Sequence, residues 1–154
     1  MPRSANPTLL LSPVTGDDAP ALADLRVEAM RESLEAIGRF DPQRARERFL
    51  ASFAPEDTLA IVAGGERVGF VVIRHQSDHI LLDHFYILPA RQGCGIGALI
   101  LQGLFAQADR AGLPVRVGAL KGSRSNDFYL RHGFVLTESA EWDNYYVRLP
   151  ISTA

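Results

Sequence analysis

Between an apolar segment ending at Leu88-Pro89 and a helical one opening near Gly95 lies the run Arg91-Gln92-Gly93-Cys94-Gly95-Ile96-Gly97-Ala98. A strand, a glycine-rich turn and a helix start together expose several backbone N–H groups at the positive end of a helix dipole. Glycine lets the oxygens of a pyrophosphate approach that backbone with no Cβ in the way. The loop therefore has the chemistry to hold a phosphate-bearing cofactor, without saying which. A kinase-type P-loop needs Gly-Lys-Ser/Thr at the helix start, where this chain has Gly97-Ala98-Leu99, and is excluded. Gly93, Gly95 and Ala98 do satisfy the G-x-G-x-x-A of a dinucleotide fold. That fold also wants a carboxylate ~20 residues on, closing the next strand. Here the strand closes on Gly118-Ala119-Leu120-Lys121.

Other residues with usable chemistry are few. Asp83 and His84 precede the loop, and each is a candidate base, His84 for its titration range and Asp83 through a carboxylate pKa that burial would raise. Adjacent residues of a regular strand face opposite sides, so at most one of the two is expected to see a substrate. Glu138, Glu141 and Asp143 stand around a late turn and could hold a cationic amine, although a solvated charge is the simpler reading of each. Cys94 is the chain's one cysteine, which excludes an internal disulfide and a multi-cysteine metal site. It has no evident partner base and is not expected to act as a nucleophile. No metal is expected.

The elements that must position these groups follow from periodicity and breakers. A short strand at 8–11 is stopped by Pro13, and Asp17 and Asp18 offer a helix N-cap. Leu22, Leu25, Ala29, Met30, Leu34 and Ile37 mark a helix that stops at Gly38. A second helix opens at Asp41-Pro42, with Ala45, Phe49 and Phe53 on one face. Residues 58–63, a Gly64-Gly65 turn and 68–74 predict a β-hairpin. The run 80–88 is apolar on both faces, which predicts a central, doubly covered strand. After the loop come a helix with Leu101, Leu104, Phe105 and Ala108 inward, a strand at 115–120, a short helix at 125–132, and strands at 134–137 and 142–149. The order β-α-α-β-β-β-α-β-α-β-β is that of an α/β layered domain on a mixed sheet.

The two local signatures together resemble those of the GNAT acetyltransferases. Gln92-x-x-Gly95-x-Gly97 is similar to that family's acyl-CoA signature Q/R-x-x-G-x-G/A. Phe128-Tyr129-Leu130-Arg131-His132-Gly133-Phe134, after the polar stretch Ser125-Asn126-Asp127, is similar to its F-Y-x-x-x-G-F. The resemblance implies a single GNAT domain over 8–150, with about seven strands and four helices, a flexible N-terminus at 1–7 and a C-terminal tail at 151–154. It implies acetyl-CoA in a cleft splayed between strands 82–88 and 115–120. The acetyl group would pass directly to a primary amine in a ternary complex, the acceptor being a small molecule, an amino acid or a peptide. Tyr129 matches the tyrosine near the CoA sulfur, a general acid, with a packing role beside Phe128 as the alternative. The oxyanion would be met by the backbone N–H of Ile87 or Leu88. Cofactor contacts are expected from Ile87, Leu88, Gln92, Gly93, Cys94, Gly95, Ile96, Gly97, Ala98, Phe128 and Tyr129. Relatives often carry an asparagine five or six residues before the Phe-Tyr pair, where this chain has Gly122 and Ser123, so Ser123 or Asn126 would stand in. Arg31, Glu32, Arg39, Phe40, Trp142, Tyr145 and Tyr146 would meet the acceptor. Homodimers among relatives make a homodimer an expectation. The alternative function is an acyl-CoA sensor or partner module without turnover.

Bulk properties fit that picture. A composition 47% apolar and 22% charged suits a globular domain, and a formal charge of -2 gives no attraction to nucleic acid or an anionic membrane. The basic cluster Arg39, Arg44, Arg46 and Arg48, with Asp41 and Glu47 among it, reads as a solvated helix face. No apolar run approaches the ~20 residues of a membrane span, and residues 1–7 lack a signal-peptide core, so a cytoplasmic protein is expected.

Overall fold

Among the described residues seven strands and four α-helices follow in the predicted order: β1 (Leu9–Pro13), α1 (Ala19–Ala36), α2 (Pro42–Ser52), β2 (Thr58–Ala63), β3 (Glu66–His75), β4 (Ile80–Ile87), α3 (Ile96–Ala111), β5 (Val115–Leu120), α4 (Arg124–Arg131), β6 (Val135–Ser139) and β7 (Asp143–Arg148). The structure is a computed structural model and describes residues 8–152. The expected flexible segment 1–7 and the last two residues of the expected tail lie outside the described residues. All seven strands join one sheet in the order β1-β2-β3-β4-β5-β7-β6.

Local chemistry sets the boundaries, with two departures from expectation. Asp41 caps α2, its carboxylate accepting from the Arg44 amide at 3.1 Å. A 3-10 turn, Gly16–Asp18, leads into α1: Asp18 holds the N-cap position of α1 as expected but makes no side-chain cap bond there, and Thr15 caps the turn, its hydroxyl accepting from the Asp17 amide while the Asp18 carboxylate accepts from the Thr15 amide at 2.8 Å. This reciprocal capping box satisfies more orphan donors than an aspartate cap alone. Pro13 does not stop β1 early but is its last residue, opposite Leu59. β1 lies at the edge of the sheet, where a missing N–H breaks no ladder.

Helices cover both faces of the sheet. Leu22, Ala23 and Leu25 of α1 and Phe49 of α2 bury themselves against Ala60, Phe70 and Val72. On the opposite face Leu101, Leu104 and Ala108 of α3 pack on Val71, Ile80, Leu82, Val115 and Val117. Burying each such Leu or Phe contributes roughly 1.5–3 kcal/mol, so these two layers carry the fold.

Where the helical layers end, the middle of the sheet changes character. β4 pairs with β3 along its length, but the register slips: Val72 faces His84 while Ile73 faces Leu82, leaving Asp83 as an extra residue. Such a bulge bends the strand and increases its twist. On the other side β4 is parallel to β5 only at Ile80–Val115, Leu81–Arg116 and Leu82–Val117. Beyond the bulge the two strands are no longer paired. β4 is central as expected, yet only its first half is doubly covered, and from Asp83 onward it is half-buried or exposed.

Gly69 shows how tightly β3 meets β4 beyond the bulge. A Cβ built there would lie 2.2 Å from the Tyr86 carbonyl oxygen and 3.1 Å from Ile87 Cα. Gly69→Ala is therefore expected to destabilise the protein by about 3 kcal/mol, since a backbone and not a side chain must yield. Gly103→Ala, where nothing lies within 4 Å of the added carbon, should instead add roughly 0.5–1 kcal/mol of helix stability. Urea denaturation of the two variants checks both signs.

Candidate active site

The parted strands leave backbone groups facing a gap. Leu88 N donates to Val68 O at 2.8 Å, so its amide belongs to the β3 ladder. In an antiparallel pair the next residue back points the other way, which turns Ile87 N–H toward the gap. Of the two expected oxyanion donors, Ile87 is the one left available. Its carbonyl is taken from the loop side by Gln92, whose Nε2 donates at 2.8 Å.

The glycines of the loop do different work. Gly93 (φ 79°) and Gly95 (φ 84°) take the left-handed conformation that bends the chain from strand into helix. Gly97 is needed for room, since a Cβ there would meet the Phe128 ring at 2.9 Å. No described residue accepts a hydrogen bond from the amides of Gly93, Cys94 or Gly95, and those of Ile96, Gly97 and Ala98 precede the first α3 bond, Leu99 N to Gly95 O. Six consecutive donors at the mouth of a helix are thus without an acceptor among the described residues. Cys94 is exposed, with Sγ 3.8 Å from Gln92 O and no base beside it.

From Gln92 a cavity of about 1120 Å³ runs past Ile87, Phe85 and the bulge toward α1 and α2. Tyr129 lines it and is only 4% exposed, with its ring among Phe128, Phe134 and Tyr146. The ring therefore packs beside Phe128, as the alternative reading of Tyr129 has it. Its hydroxyl has no hydrogen-bond partner among the described residues, yet no fully enclosed side-chain oxygen or nitrogen there lacks one, so the hydroxyl must reach the cavity. Burial, with the neighbouring Tyr86 phenol second, pushes its pKa above the ordinary 10.0 and keeps the proton on.

The polar stretch before the Phe-Tyr pair divides in two. Ser123 lines the cavity. Asn126 is spent inside the protein: Nδ2 donates to Leu120 O (2.9 Å) and Ser123 O (3.0 Å), and Oδ1 accepts from Asn144 Nδ2 (2.9 Å) and Tyr146 OH (2.7 Å). It ties the end of β5 and the start of α4 to β7. Phe128, expected as a cofactor contact, packs under Gly97 and against Phe85.

Asp83 and His84 differ from the alternation rule. The bulge moves the apolar face of β4 from Ile80 and Leu82 to Phe85 and Ile87, and both Asp83 and His84 turn to the α2 side. There Asp83 accepts from Arg74 Nε at 2.8 Å, and Arg74 also holds Asp57 and Ser52 O. His84 sits among Phe49, Phe70 and Tyr86, with Nδ1 3.4 Å from Tyr86 OH and Nε2 3.9 Å from Asp83 Oδ2. Burial lowers its pKa from 6.5 to about 4, against the pull of Asp83 and with help from Arg26 and Arg74. His84 is neutral at pH 7.

Arg26 and Tyr86 are among the lining residues that sequence reasoning misses. Arg26 occupies a helix-face slot between Leu22 and Ala29, and a charge in an apolar stripe is the available signal. Of the residues expected at the acceptor end, Arg39, Glu138, Trp142, Asp143, Tyr145 and Tyr146 line the cavity; Arg31, Glu32, Phe40 and Glu141 do not. Arg44 and Arg48, read as a solvated face, also line it, while Arg46 pairs with Asp24.

Comparison with known proteins agrees with this geometry. Residues 55–136 match the acetyltransferase (GNAT) domain family, and the chain belongs to that family. Its fold is shared with the PaiA N-acetyltransferase of Thermoplasma acidophilum, solved with coenzyme A (14% identity, TM-score 0.75, covering 92% of this chain and 99% of that one). An acetyltransferase of Thermus thermophilus gives 22% identity and TM-score 0.71 over 92% and 97% of the two chains. The ribosomal-protein-S18-alanine N-acetyltransferase of Escherichia coli gives 16% and 0.67 over 96% of each. Among curated proteins none matches the chain in sequence. No helix among the described residues is long and apolar enough to cross a membrane.

The buried imidazole makes stability pH-dependent with a definite sign. The unfolded chain, with an ordinary histidine pKa of 6.5, binds more protons than the fold down to about pH 4. Stability from this group is complete above 6.5 and is lost as the pH falls toward 4, by about 3 kcal/mol in all. Urea midpoints between pH 7 and 4 should fall accordingly, and His84→Gln should flatten the fall. An unchanged slope in the variant would place the acid lability elsewhere.

Proposed function

We propose that the protein is an N-acetyltransferase that passes the acetyl group of acetyl-CoA directly to a primary amine. The observation that carries this reading is the set of six partnerless amides from Gly93 to Ala98 beside a split sheet, with the Tyr129 hydroxyl opening on a cavity that Ile87 and Gln92, just before those amides, also line. The residues fit the co-substrate. Six N–H donors at a helix mouth suit a diphosphate, and a strand edge unpaired beyond Leu82 offers hydrogen bonds to an extended amide chain such as pantetheine. When bound, acetyl-CoA supplies the acetyl group as an activated thioester.

The chain's own groups then divide the work. Amides 93–98 hold the diphosphate, and Ile87 N–H is placed to polarise a carbonyl in the gap. Ser123 adds a polar contact at the β5 side. Tyr129 keeps its proton and is the donor for the departing thiolate. Its raised pKa makes it a weak acid, but the same desolvation raises the basicity of a thiolate beside it, so the transfer remains matched. His84, neutral and facing the α1–α2 side, takes the proton that the amine must lose. With a pKa of about 4 it relays that proton and does not retain it.

Acetyl-CoA at about 100 times its dissociation constant should stabilise the protein by ~2.7 kcal/mol, and NAD or NADP should not. Tyr129→Phe should lower kcat on the best amine of a panel by about 10²-fold or more while acetyl-CoA affinity stays within twofold. Unchanged turnover in that variant would remove Tyr129 as the acid.

A further inference from the structure

We infer that the acceptor amine also carries a carboxylate, and that Arg26 recognises it. This rests on the acetyltransferase reading and narrows it to small amino acids and similar zwitterions. Arg26 comes from α1 and is 8% exposed. Its Nε donates to Tyr86 OH at 3.3 Å, its Nη1 donates to Ala45 O of α2, and its guanidinium lies 5.8 Å from the Tyr86 ring centre. The side chain is thus clamped between two helices and the central strand.

What it lacks is a counter-ion. A guanidinium has five N–H donors, and described residues engage it only through Nε and Nη1. Since no enclosed side-chain nitrogen or oxygen among the described residues is partnerless, Nη2 opens on the cavity that Arg26 lines. A buried cation held without a carboxylate is costly, and an oxyanion is the ligand that its remaining N–H donors fit. The arrangement is also selective. Arg26, Arg39, Arg44, Arg48 and Arg116 line the cavity, and none forms an ion pair with a described residue, whereas seven arginines away from it do. Three lining carboxylates, Asp41, Glu138 and Asp143, likewise form no ion pair with a described residue; Asp41 caps α2, and the other two can meet the ammonium form of the same ligand.

The CoA phosphates are not the anion in question. Arg26 reaches the α1–α2 side of β4 through Tyr86, packed with Phe70, whereas the amides of 93–98 open α3, which covers the other side. A carboxylate bound at Arg26 would lie beside Tyr86 and, through it, His84, close to where the amine must lose its proton.

The test pairs each of a panel of α- and ω-amino acids with its carboxamide. Thiol release from acetyl-CoA gives kcat/KM, and calorimetric titration of the CoA-saturated protein reads binding without turnover. At least one acid should exceed its amide by tenfold or more in both. Arg26→Met should bring that ratio toward one and leave the acetyl-CoA dissociation constant unchanged. Arg26→Lys, which keeps the charge but not the fork, should give an intermediate ratio and covers the case of a Met variant that does not fold. Amides equal to acids in the wild type would overturn the inference while leaving acetyl transfer standing, and so would weakened acetyl-CoA binding in Arg26→Met. Binding of neither acids nor amides would overturn it too. Acids that bind tenfold better without turnover would uphold the carboxylate site and sink the catalytic reading instead.

Discussion

The structure depends on one break in a ladder: β4 and β5 hold together for three residue pairs and then separate. A parallel pair inside a covered sheet would ordinarily continue, because leaving backbone donors and acceptors unpaired in an interior is expensive. Here the extra residue Asp83 bends β4 at the point of separation. The exposed edge that results is an unmet set of hydrogen bonds in the middle of the protein.

Much of the surrounding architecture serves to keep that break open. Asn126, with all its polar atoms occupied, ties β5, α4 and β7 into one unit on the far bank of the gap. Gly97 lets Phe128 press against α3, which fixes the helix that opens with the partnerless amides. On the near bank Gly69 allows β3 to follow β4 past the bulge. The same bulge brings Asp83 and His84 to one face, so the slip that opens the gap also sets the orientation of both side chains.

Short-range features are legible in the sequence. The order of the elements, the loop from Gln92 to Gly97 and the Phe128-Tyr129 pair depend on neighbours within one turn or strand, and each is where periodicity and breakers place it. What stays hidden depends on register between strands distant in sequence. Nothing local in Leu82-Asp83-His84 announces that Val72 and Ile73 will skip Asp83, and the alternation rule therefore assigns the pair to opposite faces. The mixed apolar pattern of the run 80–88 is in part the imprint of that slip and not of double burial alone. Asn126 reads as a ligand because it could stand in for the asparagine that relatives carry before the Phe-Tyr pair, and its three-way internal clamp is visible only once β7 is in place. Arg26 escapes notice because a single arginine in an amphipathic helix is ordinary until its surroundings are known.

The central claim is that the amides from Gly93 to Ala98 and the open edge of β4 receive coenzyme A. A crystal structure of the protein with acetyl-CoA tests it most directly. The account predicts diphosphate oxygens within hydrogen-bonding distance of those amides, about 3 Å, the pantetheine lying along β4 beyond Leu82, and the thioester carbonyl facing Ile87 N–H. Coenzyme A seated elsewhere, or a gap closed by renewed β4–β5 pairing in the liganded protein, would contradict it.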